Sequence, residues 1–420
     1  MNKTKKNTRG ITLIALVITI IVLLILAGVT IAVLSGENGI LKRAAEAKEK
    51  TKLAQKEEEK TLSNMENILN NAINFNNIKT EDTNPTGAMP TNVTILESDA
   101  NKGIVIKDKN DNEWVWIEVP KTTVFTGLTI DTTNTLTEQN YTDIKNKLIT
   151  YATTYREGKS GQGCDWTDEW YNGCGMTSDE YTAAYQKMLK SVYTYGGFWI
   201  GRYEAGIEGS IDDVSKARAS HSTVAIGTSL KAISQKDAIP YNYVYCSEAQ
   251  ALANEMAPDS NCTSSLMFGI QWDLVCKFLE VKGGLTTADI NSNSTNVGNY
   301  NNAKIENITS GKHAIYDGST LGAWTKISSS YTKQDSGNNC KTLLSTGISD
   351  YTKKMNIYDF AGNEWEWTLE HAISDSHSHS TERGGSCYDI GSGYPASYRN
   401  NDETTTAVYS IGFRSTLYVD

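Results

Sequence analysis

From Ile11 to Leu34 the chain runs for 24 residues without a charge, ITLIALVITIIVLLILAGVTIAVL. Roughly 20 apolar residues suffice to cross a bilayer as a helix, and core helices are seldom apolar on every face over such a length. The segment therefore predicts a transmembrane helix over 11–34. Lys3, Lys5, Lys6 and Arg9 precede it. An excess of basic residues holds that end in the cytoplasm, which leaves everything after the span outside.

After Gly36-Glu37-Asn38-Gly39, residues 35–78 are rich in helix formers, and Leu62, Met65, Leu69, Ala72 and Ile73 recur at three- and four-residue steps. That pattern predicts a helical stalk ending in an apolar contact face. Gly and Pro between Thr80 and Pro90 break it, so a linker is expected over 79–95. In the remaining body, 96–420, GIVIKDKNDNEWVWIEVP (Gly103–Pro120) reads as a hairpin, and Asp179–Lys190, Ser247–Met256 and Trp272–Val281 have helical spacing. The rest is Thr, Asn, Ser and Gly with short apolar runs, which predicts an α+β fold with many short strands and long loops. Residues 1–75 carry eleven Lys/Arg and seven Asp/Glu, leaving 28 and 42 for residues 76–420, a net of −14. An acidic body argues against nucleic acid as partner, because such binding needs a basic surface.

The Arg9-Gly10-Ile11-Thr12-Leu13-Ile14 junction resembles the leader of type IV prepilins, in which a short basic leader, here 1–10, ends in Gly and is cut before the apolar helix. A secretory signal instead carries its small-residue cleavage site after the apolar region. The family's Glu, five residues after the cut, is Ala15 here, which puts pilus-like assembly in doubt while leaving processing expected. A plain signal-anchor is the alternative.

Five segments in order carry a second resemblance: Gly197-Phe198-Trp199-Ile200-Gly201-Arg202-Tyr203-Glu204, Leu266-Met267-Phe268-Gly269-Ile270-Gln271-Trp272-Asp273, Tyr358-Asp359-Phe360-Ala361-Gly362-Asn363-Glu364-Trp365-Glu366-Trp367-Thr368, Arg383-Gly384-Gly385-Ser386, and Ile411-Gly412-Phe413-Arg414. Together they resemble the formylglycine-generating-enzyme-like (sulfatase-modifying factor) domain, a variant of the C-type lectin fold, over 96–420. The residues agree with a strand at Glu364–Trp367, whose Trp and Glu side chains alternate between two faces. Gly384 and Gly385 suit a close backbone approach.

The enzymes of that family hold copper(I) between two cysteines shortly after the RGGS-like segment, and soft thiolates suit that ion. Here Cys387 has no second cysteine after it, so no copper, no catalytic residue and no enzyme activity are expected. His377 and His379 could share one strand face, but an exposed loop pair is the simpler reading. The resemblance implies a structural calcium site from Asp359, Gly362, Glu364 and Glu366, since hard oxygen donors suit calcium. The alternative, in which Asp359 and Glu366 pair with backbone amides or Arg414, stays open. Cys164 and Cys174 bracket DWTDEWYNG and could close a disulfide outside the cytoplasm, while seven cysteines leave at least one unpaired.

From Glu370 onward the chain has no Lys, Gln, Met or Trp, and 371–410 is filled mostly with residue types reachable from an AAC or AAT codon when only adenines change. This resembles the variable proteins of diversity-generating retroelements, whose mutagenesis falls in the last strands of a C-type-lectin-like domain. Tyr offers large, stiff contact area while Ser, Asn and Gly offer adaptable hydrogen bonds. Cys387, Tyr388, Asp389, Ile390, Tyr394, Tyr398, Asn400, Asn401, Asp402 and Tyr409 are the expected ligand contacts, with Arg383, Gly384, Gly385, Phe413 and Arg414 as scaffold. The expectation is a bacterial membrane protein displaying an extracellular, non-enzymatic receptor for an unidentified protein, glycan or phage ligand. Two alternatives stand beside it: a minor-pilin-like adhesin with an invariant site, and a formylglycine-generating-type oxidase or degenerate enzyme.

Overall fold

In the computed structural model, residues 13–35, 41–58, 78, 82–156, 165–227, 230–373 and 378–419 are described. The chain divides into two units, Met1–Asn70 and Asn71–Asp420.

In the first unit the apolar run forms one 23-residue helix, Leu13–Ser35. The hydroxyls of Thr19 and Thr30 donate to the carbonyls of Ala15 and Leu26 one turn back, so its two described polar side chains are satisfied within the helix. Its large apolar side chains stand exposed, Leu24 at 67%. Among the described residues, however, no helix is long and apolar enough to cross a membrane. Where a transmembrane helix is expected over 11–34, the described residues form an apolar helix, Leu13–Ser35, whose described side chains are exposed. Residues 41–58 are helical with every side chain exposed, as a charge-dense sequence requires. The leader 1–10 and the stripe from Leu62 to Ile73 lie outside the described residues.

The second unit is α+β. Its main sheet runs Thr94–Glu97, Val105–Lys107, Glu113–Glu118, Gly197–Gly201, Ser415–Val419, Cys262–Leu266, and every pairing in it is antiparallel. The central strands Glu113–Glu118 and Gly197–Gly201 bury Trp114, Val115, Trp116, Ile117, Phe198, Trp199 and Ile200. Their buried side chains are apolar on both sheet faces. The expected hairpin is present: Asp108 closes its turn by accepting from the backbone N–H of Asn110 and Asn112 and from Trp114 Nε1 at 2.8, 3.1 and 2.9 Å. Three helices lie where periodicity put them, Ser178–Tyr195, Cys246–Asn254 and Gly269–Val281. The first is capped by Thr177 and Glu180 reciprocally and ends at Gly196 with φ 78°.

The linker expected over 79–95 needs correction. Ala88, Val93 and Ile95 are buried, Trp199 Nε1 donates to the Ala88 carbonyl at 2.7 Å, and Thr94–Glu97 pairs with Val105–Lys107. Three apolar residues spaced among turn formers pack here as an edge of the folded unit rather than a connector.

A second sheet runs Arg399–Glu403, Ser378–Arg383, Trp365–Ile373, Ile411–Phe413, with Asp165–Thr167 flanking the far end of Trp365–Ile373. Trp365–Ile373 and Ile411–Phe413 pair in parallel, and the other pairings are antiparallel. Gly385, at φ 75°, lets the chain leave this sheet; a Cβ there would meet the Tyr394 carbonyl oxygen at 2.6 Å.

Candidate functional site

The strand Trp365–Ile373 buries both of its faces. Trp367 is 1% exposed and donates from Nε1 to the Val244 carbonyl at 3.0 Å. On the opposite face Arg414 Nε reaches both Glu366 oxygens at 3.1 Å, and its Nη2 reaches Oε1 at 2.7 Å. Arg414 also donates to the carbonyls of Gly201 and Tyr358 at 2.9 Å. Asp359 accepts from the Gly347 N–H and the Thr352 hydroxyl, each at 2.7 Å.

These contacts bear on the calcium set that the resemblance implies. The oxygens of Asp359 and Glu366 are taken by protein donors, as in the alternative left open above. Gly362 spends its conformational freedom, φ 71°, on close packing against the Asn299 backbone. Among the described residues no group of three or more His, Cys, Asp or Glu side chains is arranged to hold a metal ion. Asp359, Glu364 and Glu366 are all buried, and the two Glu364 oxygens meet no donor among the described residues. They belong to a buried carboxylate cluster with Glu204, which accepts from the Glu364 N–H at 3.1 Å. Burial, and then the neighbouring carboxylates, push Glu204 and Glu364 well above the ordinary range.

A second buried network crosses into the stretch expected to vary. Arg399 bonds Glu370 at 3.0 Å and Asp273 at 2.7 Å. Arg383 bonds the same two acids at 2.9 and 2.8 Å, and Arg156 reaches Asp168, Asp273 and Glu370. Ser380, Thr381, Glu382, Ser397 and Arg399 are all buried. Only part of 371–410 is surface.

Of the ten expected contacts, Cys387 is wholly buried, and burial pushes its thiol up, so its assignment to the ligand face is corrected. Tyr388 and Ile390 are exposed, while Asp389, Tyr394, Tyr398, Asn400, Asn401, Asp402 and Tyr409 are half-buried. Asp389 accepts from the Ser386 N–H and hydroxyl at 3.0 and 2.6 Å. Tyr394 and Tyr398 meet edge to face at 4.9 Å between centroids, and both pack on Trp365. Asn400 donates to Glu382, and Asn401 lies 3.5 Å from the His379 ring. His377 and Cys164 lie outside the described residues; Cys174 is a buried free thiol.

The loop carrying Tyr388 and Ile390 is fastened from outside. Asn301 donates its side chain to the Tyr388 carbonyl at 2.6 Å and its N–H to the Asp389 carbonyl at 2.8 Å. Asn302 accepts from the Gly391 N–H at 3.2 Å, and Ser294 from the Ala396 N–H at 2.9 Å. Beside the loop, a groove of about 460 Å³ is lined by Tyr243, Tyr316, Tyr388, Val408 and Tyr409, with Ser319, Thr320 and Ser410 supplying hydroxyls. Tyr316 stacks on Tyr409 at 4.3 Å and meets the edge of Tyr388 at 5.7 Å. Lys341 Nζ sits 4.1 Å from the Tyr388 ring centre. Tyr243 holds the left-handed φ of 53°, secured by Arg218 donating to its carbonyl at 2.8 Å; strain of this kind gathers at functional sites.

No family model matches the sequence, and no curated protein is similar to it. Solved structures with a likeness to the chain include Treponema denticola variable protein 1, 16% identical over 54% of this chain and 85% of that one, with a TM-score of 0.27. They also include CarF, 14% identical over 53% and 87%, with a TM-score of 0.29.

Sequence reading missed Tyr243, Tyr316 and Lys341. The sequence held no signal for Tyr243, because alternation in Tyr241-Asn242-Tyr243-Val244-Tyr245 would set it on the face of the buried Tyr241, whereas its left-handed φ of 53° breaks that period.

Proposed function

We propose that this chain is a non-enzymatic ligand-binding protein whose surface, built from the exposed part of 371–410 and its neighbours, contacts a macromolecular ligand. The tyrosine groove carries the reading. Its size suits a ligand pocket, it is lined by stiff rings with hydroxyls at the rim, and it joins two of the expected contacts, Tyr388 and Tyr409, to Tyr243 and Tyr316. The backbone beneath is held by Asn301 and Asn302, so side chains there can change while the loop keeps its course. That suits diversification by a retroelement. The uncharged sequence 11–34 supports a tether in a bacterial membrane with the acidic body outside. The burial of Cys387 supports the absence of thiolate metal chemistry, because a reactive thiolate needs access and a lowered pKa.

Phage-displayed peptides selected on the immobilised full-length chain test the reading. Tyr388→Ser with Tyr409→Ser is expected to weaken the selected binders by at least about tenfold, since aromatic anchors supply roughly 2 kcal/mol or more at a hot spot. Binders indifferent to both changes would place the face elsewhere. At the nucleotide level, a near-copy of the 371–410 coding stretch, differing at adenines, is expected beside a reverse transcriptase gene.

A further inference from the structure

The tyrosine groove holds more hydrogen-bond donors than its own walls use. Tyr243, Tyr316, Tyr388 and Tyr409 line it, and among the described residues none of their hydroxyls bonds a protein group. Burial pushes the Tyr409 and Tyr243 hydroxyls up, with Cys387, Tyr316 and Tyr388 adding to the first and Glu364 and Tyr316 to the second. Both therefore stay protonated at neutral pH and can donate.

A cation stands beside these donors. Tyr316 donates its N–H to the Lys341 carbonyl at 2.9 Å, which sets Lys341 against the groove wall. The Lys341 ammonium rests 4.1 Å from the centre of the Tyr388 ring. A ring positions an ammonium through its face without taking up its three N–H donors as a carboxylate would. Among the described residues Lys341 Nζ has no ion pair and no hydrogen bond. Asp317, next to Tyr316, is engaged in its own turn: its Oδ1 accepts from the Ser319 N–H, the Ser319 hydroxyl and the Thr320 N–H at 2.8, 2.9 and 2.9 Å. Ala219, Leu321 and Val408 give the rest of the lining an aliphatic wall.

We propose that the groove seats an acidic segment of a peptide or protein, with an Asp or Glu carboxylate held by Lys341 and the tyrosine hydroxyls and an adjacent apolar side chain laid against Leu321 and Val408. This deepens the reading of the groove as a binding site and rests on it. Charge complementarity selects the carboxylate, because a positioned ammonium makes charge-assisted bonds to it that are stronger than neutral ones. The aliphatic wall selects a peptide over an acidic sugar, whose ring would set its own hydroxyls against Leu321 and Val408, where they find no partner. Lys341, Tyr243 and Tyr316 lie outside 371–410. The preference for an acid is thus carried by fixed residues, and diversification of that stretch would vary only what surrounds it.

The test titrates the full-length chain by calorimetry with the acetylated, amidated peptide Gly-Leu-Asp-Leu-Gly and with its Asn counterpart. The Asp peptide is expected to bind at least about tenfold tighter, as a charge-assisted bond should. That advantage should vanish as pH falls below about 4, where the peptide's own carboxylate protonates. Lys341→Gln should bring the Asp peptide down to the affinity of the Asn peptide and leave the Asn peptide unchanged, whereas Lys341→Arg should retain most of the preference. Lys102→Gln, at an exposed lysine elsewhere, should change nothing. Equal affinity for the two peptides, no measurable binding of either, or a preference that survives Lys341→Gln overturns the inference. Methyl glucuronide carries the same carboxylate on a sugar; binding as tight as that of the Asp peptide overturns the assignment to a peptide. Phage-selected peptides that weaken when Tyr388 and Tyr409 are changed, yet are indifferent to Lys341→Gln, would keep the binding face and discard the acid anchor.

Discussion

Replacing Arg399 by Ala probes how much of the 371–410 stretch is free to change. Arg399 donates from Nε to both Glu370 oxygens at 3.1 and 3.0 Å, from Nη2 to both Asp273 oxygens at 2.8 and 2.7 Å, and from Nη1 to the Tyr155 carbonyl at 2.8 Å. With it, three arginines face the three acids Asp168, Asp273 and Glu370; without it, one buried carboxylate is uncompensated. Breaking a buried pair by removing one partner costs about 3 to 5 kcal/mol. With an m-value of about 3 kcal/mol per molar urea, the unfolding midpoint should fall by roughly 1 M or more. The loss should also depend on pH. Burial pushes Asp273 and Glu370 upward, but the arginines, Arg399 foremost, more than reverse this and hold both below the ordinary range. A carboxylate depressed in the folded state contributes stability above its unfolded pKa of about 4, and that stability is lost as pH falls through the folded value. Acid should therefore erase much of the difference between wild type and variant. Tyr398→Ser, the adjacent residue turned outward, gives up ring contacts and should cost about 1 kcal/mol. Urea titrations followed by tryptophan fluorescence at pH 7 and pH 3 read all of this. An Arg399→Ala midpoint within error of wild type at pH 7, or a larger loss in Tyr398→Ser, refutes the reasoning.

Phe413→Ala empties a fully buried ring site and should cost about 3 to 5 kcal/mol in the same titration. Glu364→Gln should gain stability over wild type as pH rises from 4 to 8 in thermal melts, because an acid raised in the folded state gives stability that is present below its unfolded pKa and lost as pH climbs. Cys387 should resist an aromatic disulfide reagent in the native protein and react on unfolding, while the half-exposed Cys340 reacts first.

Features set by neighbouring residues were legible in the sequence. The Gly103–Pro120 hairpin, the three helices and the inward ring of Phe413 follow from local alternation and turn chemistry. Cys387 was misplaced because it falls within the compositionally unusual stretch 371–410, whereas the chain there turns back under the loop, the Cys387 N–H bonded to the Asn363 carbonyl at 3.0 Å. The partners of Asp359 were hidden for a similar reason: Thr352 and Gly347, which donate to it, have no pattern that announces them. The groove needed Tyr316 beside Tyr409, a contact made by folding two distant loops together. No period in either segment encodes it.

The clamps on the 386–396 loop have a genetic consequence. Asn301, Asn302 and Ser294 are written in a part of the gene some ninety codons upstream of the segment they restrain. Shape and chemistry at this surface are thus inherited from separate stretches of coding sequence. A recombination or mutagenesis event confined to the downstream stretch would present new side chains at Tyr388 and Ile390 on an unaltered frame, whereas a single lesion at Asn301 would unsettle every version of the loop at once.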